Sequence, residues 1–216
     1  IVTGQPRFDF YKQPEQHLSF RDLQITIPVR QPVILFLDYD KGSYSPEGGM
    51  GHSNTWEQLY DETEATLIKM AHMGYTVLIK PHPQQPLLEE LAQRLRALSG
   101  TLWETSVQLL DRKVDVRHLI VNADIVVGFQ TTAIFEALIA GKEVIYTFWS
   151  KPVHDYVDSL IPFHQYPDIL SCATSPEELE QYLRCYQGPV TDTHILAKRH
   201  EVFKEYLGIA DGQSSK

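Results

Sequence analysis

Several short groups of side chains have the types and spacing for chemistry on a phosphorylated ligand. In Lys80-Pro81-His82-Pro83, two prolines stiffen the chain around an imidazole that can donate hydrogen bonds to a diphosphate, and Lys80 adds positive charge beside it. Taken alone, His82 reads more simply as a turn histidine bound only to water. Gln130, Thr131 and Thr132 stand where a helix should begin, so backbone N–H groups and two hydroxyls would face an anion. Glu136 follows Thr132 by four residues, on the same helical face, where a carboxylate can accept hydrogen bonds from a ribose. Capping by itself also accounts for Thr131 and for Gly141 at the far end of that helix. Gly48-Gly49-Met50-Gly51-His52-Ser53-Asn54 permits close backbone approach to a phosphate, with His52 and Ser53 as candidate contacts, but it lacks the Lys-Ser/Thr ending of a phosphate loop. His154 and His164 lie further along and are read either as bordering the ligand or as solvated.

The elements that must position these groups alternate between strand and helix. Val33–Leu37, Thr76–Ile79, Asp124–Phe129 and Glu143–Phe148 are short apolar runs of the kind found in strands covered on both faces. Residues 101–110 read as a further strand with a loop. The prolines at 81 and 83 are expected to lie outside the second strand. Helical spacing runs from a cap at Asn54 or Thr55 through Trp56, Leu59, Leu67 and Ala71 to Gly74, and again through Leu87, Leu91, Leu95 and Leu98. Asp115 caps a short helix. Trp149 to Pro167 reads as one long loop, and Ser175-Pro176-Glu177-Glu178 as a helix start with a capping box. The pattern predicts an α/β fold, a Rossmann-like parallel sheet flanked by helices. We divide it into a linker at 1–30, a Rossmann-like nucleotide-binding unit at 31–192, and a C-terminal helix and polar tail at 193–216. Ligands of such sheets sit at the carboxyl ends of the strands, where His82, Thr131, Thr132 and Glu136 would converge.

Composition narrows the function. A chain of 216 residues, 43% hydrophobic, can bury one sizeable core. Its formal charge of −9, without clustered Lys and Arg, argues against nonspecific nucleic-acid binding. Cys172 and Cys185 have neither metal-ligand spacing nor the density of a secreted scaffold, which fits a reducing compartment. No apolar run is long enough for a bilayer span and no signal-peptide pattern is visible, so a cytoplasmic protein is expected. Ile1 and the turn-like residues after it are expected to belong to a longer protein.

The combination of Lys80 to Pro83 with the later Thr131/Thr132 pair resembles the C-terminal, donor-binding half of GT-B glycosyltransferases. It is most similar to the branch of CDP-glycerol glycerophosphotransferases, capsule Kdo transferases and bacterial sialyltransferases. Glu136 and Gly141 match the ribose-contacting segment of the wider group, although Glu143 replaces its usual proline, and Gly4-Gln5-Pro6-Arg7-Phe8-Asp9 is similar to the element joining the two halves of the glycerophosphotransferases. The segment from Tyr206 to Ser215 looks like the end of surface-polysaccharide enzymes. The resemblance implies that Lys80, His82, Gln130, Thr131 and Thr132 hold the donor phosphates, with His82 also the catalytic residue, and that Glu136 holds the ribose. His52, Ser53 and His154 would be further donor contacts. It implies a nucleotide-activated sugar or polyol donor, CMP-, CDP- or UDP-linked, as substrate, with no cofactor and no metal. A surface-glycan acceptor would be held by an N-terminal domain, and the whole protein would lie peripherally at the inner face of the membrane. Two other readings stand beside it. One is a nucleotide-binding or structural module without catalysis. The other is a haloacid-dehalogenase-like phosphatase using Asp38 and Asp40, although Lys41-Gly42 replaces that motif's usual continuation and Asp38 and Asp40 can equally be polar strand-end residues satisfying loop N–H groups.

Overall fold

Runs of Val, Ile and Leu too apolar for a solvated face pair edge to edge in a computed structural model that describes residues 6–28, 31–42, 55–85 and 88–206. In chain order the elements are α1 (Pro6–Asp9), β1 (Val33–Asp38), α2 (Glu57–His72), β2 (Thr76–Pro81), α3 (Leu88–Ser99), β3 (Val107–Leu109), α4 (Val116–Asn122), β4 (Ile125–Gly128), α5 (Ala133–Ile139), β5 (Glu143–Thr147), α6 (Lys151–Asp155), β6 (Ser171–Ala173), α7 (Pro176–Arg184) and α8 (Thr193–Tyr206). The six strands form one sheet in the order β3-β2-β1-β4-β5-β6, and every pairing is parallel. Every residue of β1, β2 and β4 is buried, as helices on both faces require. The strand order reverses between β1 and β4, so the crevice beyond their carboxyl ends is where this topology receives a ligand.

Local chemistry sets most boundaries. Asp115 accepts a hydrogen bond from the Arg117 N–H at 2.9 Å and starts α4. Ser175 caps α7 through the Glu178 N–H, while the Glu178 carboxylate reaches back to the N–H and hydroxyl of Thr174, one residue earlier than in the expected box. Gly141 takes φ +73° directly after α5, a conformation open to glycine at little cost.

Four expectations change. β2 continues through Pro81, which pairs with Asp38. The His82 N–H donates to the Asp38 carbonyl, so the missing N–H of Pro81 faces the other side, where pairing with β3 has ended at Leu109. Trp56, not Thr55, occupies the N-cap position of α2, held by its N–H on the Lys41 carbonyl, and Asn54 lies outside the described residues. The stretch expected as one long loop contains α6 and leads to the edge strand β6, both too short to show a period. Arg7, expected in a turn, lies in the helical turn α1. At the other end α8 packs on α5, with Arg199 only 2% exposed and donating to the carbonyls of Ile169, Leu138 and Lys142. Among the described residues no helix is long and apolar enough to cross a membrane.

Candidate functional site

A cavity of about 860 Å³ opens at the crossover point between β1 and β4. That volume is within the range of small-molecule sites. Leu37, Trp56, Tyr60 and Phe129 give it an apolar interior. Polar groups reach it from three sides: His82 after β2, Arg112 to Asp115 ahead of α4, and Gln130 to Thr132 ahead of α5. Ser159, Leu160 and Ile161 complete the wall from the segment after α6.

His82 is half-buried, with the Tyr39 ring edge-on at 4.3 Å. The Gln84 backbone N–H donates to its Nδ1 at 3.2 Å, so the proton of the neutral ring sits on Nε2. Burial, and then the nearby Lys80 charge, hold its pKa below the usual histidine range and favour that neutral donor. Thr131 and Thr132 both line the cavity. The Thr131 hydroxyl oxygen accepts from the Ala133 N–H at 3.3 Å, which leaves its proton to donate. Thr132 is exposed and its hydroxyl makes no capping bond.

Three of the other expected residues have different partners. Lys80 is buried, and its ammonium donates to the carbonyls of Pro81 at 2.7 Å and Arg112 at 3.0 Å, tying the end of β2 to the segment before α4. Burial lowers its pKa. The Gln130 amide donates to the Tyr146 hydroxyl at 2.6 Å and the Ile161 carbonyl at 3.2 Å, and accepts from the Ile161 N–H at 2.8 Å, so it lashes one wall of the cavity to the sheet. Its backbone takes φ +47°, a strained value for a side-chain-bearing residue, at the turn that aims Thr131 and Thr132. Glu136 has no exposed surface and does not line the cavity. Its two carboxylate oxygens accept from the Arg7 guanidinium and, at 2.7 Å, from the Tyr11 hydroxyl. His154 is exposed on α6, edge-on to Phe148 and outside the cavity lining. His52 and Ser53 lie outside the described residues.

Asp38 lies at the cavity floor, almost wholly buried, and accepts from the Gln85 amide at 2.9 Å. Desolvation, with repulsion from Glu64, pushes its carboxyl up to about 7. Asp40 accepts from the Gly42 N–H at 2.8 Å, the loop-satisfying use of a strand-end aspartate. Among the described residues no group of three or more His, Cys, Asp or Glu is placed to hold a metal ion. Sequence reasoning missed the role of Gln85 and of the Arg112 to Val116 wall. The first is a lone amide, and the second has no apolar period.

Neither a protein-family model nor a curated protein matches the chain. Solved structures do. A glycosyltransferase from Rickettsia africae ESF-5 superimposes with a TM-score of 0.61 at 15% identity, over 93% of this chain and 51% of its own. The wall teichoic acid polymerase TagF gives 0.53 at 16% identity, over 100% and 49%. OtsA gives 0.54 at 12% identity, over 97% and 47%. In fold, the chain is a Rossmann-like half of the GT-B type. It spans about half the length of each of these structures. Identity this low carries fold and no chemistry.

Proposed function

We propose that this chain is the donor-binding half of a transferase that moves a sugar or polyol phosphate from a CMP-, CDP- or UDP-linked donor to a surface-glycan acceptor. The observation that carries the reading is the meeting of His82 with Thr131 and Thr132 in one cavity at the strand crossover. TagF, whose fold this chain shares, has also been solved after a CDPG soak, at a TM-score of 0.54 and 14% identity, which supports a nucleotide donor. In this reading the His82 Nε2–H and the two threonine hydroxyls donate to the donor's phosphate oxygens. These bonds strengthen as negative charge develops on the departing nucleotide, and that difference lowers the barrier. Lys80 and Gln130 act behind them, holding the two walls at the spacing the phosphates need. The acceptor and the base that activates it belong to an N-terminal domain, in a protein working at the inner face of the membrane.

The test is titration of the chain with CMP, CDP, UDP and GDP, followed by amide and imidazole chemical shifts. Shifts clustered at His82, Thr131 and Thr132 with at least one nucleotide are expected. Silence at all three residues with all four nucleotides sinks the proposal.

A further inference from the structure

Segment 6–28 crosses two of the helices whose amino ends face the cavity, α4 and α5. On α5 its contact is Glu136, a carboxylate with no exposed surface that receives Arg7 and Tyr11. On α4 the Leu18 N–H donates to His118 Nδ1 at 3.1 Å, Asn122 donates to the Leu18 carbonyl at 2.7 Å, and the Arg117 guanidinium lies 4.9 Å from the centre of the Phe10 ring. Both helices begin at the cavity, α4 with Asp115 and Val116 and α5 with Thr131 to Ala133.

We propose that Glu136 is a positioning residue: it anchors segment 6–28 to α5, and the segment, fixed to α4 as well, helps to set the spacing between the two helix ends that line the cavity. This rests on the cavity being the nucleotide site. The assignment moves Glu136 from the ribose to the frame. A carboxylate buried among its own chain, with each oxygen holding a donor from that segment, is committed to packing before any hydroxyl arrives. Half of the Arg7 side chain is exposed, so it can be removed without opening the core.

Arg7→Ala and Tyr11→Phe test the frame without touching Glu136. Hydrogen exchange of the nucleotide-free protein should rise at residues 8–18 by about tenfold or more in Arg7→Ala, while β1 and β4 keep their protection. Unchanged exchange at 8–18 overturns the proposal, and this arm needs no nucleotide, so it decides even if none of the four binds. Where one binds, Arg7→Ala should weaken it by about tenfold and Arg7→Lys should restore part of the loss. The 2′-deoxy form should bind wild type within about twofold of the ribonucleotide, because no ribose hydroxyl meets Glu136. A wild type that rejects the deoxy form, with the discrimination abolished in Glu136→Gln, returns Glu136 to the ribose and overturns the assignment.

Discussion

At His82 the ring is oriented from two sides, by the Gln84 N–H on Nδ1 and by the Tyr39 ring packed edge-on. The Asp38 carbonyl accepts from its backbone N–H, and the Asp38 carboxylate holds Gln85, whose amide oxygen accepts from that same N–H at 3.3 Å. Asp38 therefore supports the donor while carrying a carboxyl raised to about 7. The folded state binds this proton more tightly than the unfolded chain, so its stability contribution is complete below the ordinary aspartate range and is lost as pH rises through about 7. Thermal melts should show Asp38→Asn gaining on wild type between pH 4 and pH 8, by at least about 1.4 kcal/mol, the worth of a tenfold change in proton affinity. Nucleotide affinity should follow the same direction, since an ionised Asp38 beneath a diphosphate repels it. Thr132 offers a cleaner probe because its hydroxyl is exposed and caps nothing. Thr132→Ala should leave the melting temperature within the effect of about 0.5 kcal/mol expected of a surface change, yet weaken nucleotide binding about tenfold by calorimetry.

Among the elements, the turn between β4 and α5 is constrained both in its backbone and through a side chain. Gln130 adopts a left-handed backbone there while its amide holds Ile161 by both N–H and carbonyl. Replacing it by alanine removes the lash and keeps the strain, for a loss of roughly 1–3 kcal/mol. Replacing it by glycine removes the lash but relieves the backbone, so Gln130→Gly should be the less destabilised of the two by about 1 kcal/mol in chemical denaturation. The reverse order would mean that the turn is not strained. The helices that flank this turn were legible from Asp115 and Gly141, which act on their immediate neighbours. The short elements α6 and β6 were not, because three to five residues carry no measurable period. Pro81 stayed in β2 because its empty side faces the place where β3 stops, and that depends on the length of a strand some thirty residues away in sequence.

At the largest scale, the fold is also held by polar packing well away from the cavity. Arg199 on α8 is buried and donates to carbonyls in the last turn of α5, just after that helix, and ahead of β6, while burial pushes its guanidinium down to about 10, still cationic at neutral pH. Arg199→Ala should destabilise the protein by roughly 2–4 kcal/mol in urea unfolding, by unpairing these buried groups. Arg199→Lys should recover only part of this, because one ammonium cannot reproduce the planar fork.

The alternation of strand and helix, the parallel sheet that follows from it, and the gathering of His82, Thr131 and Thr132 at one edge can all be read along the chain. Each of these depends on local periodicity, on caps, and on the handedness of crossovers. The partner that each polar side chain takes within the protein comes only from the packed fold. Lys80 is taken by a carbonyl 32 residues on, Gln130 by a segment 31 residues on, and Glu136 by a guanidinium 129 residues back. A side chain's type announces what it can bind, but its partner is set by whichever distant segment packs against it, and no local pattern records that.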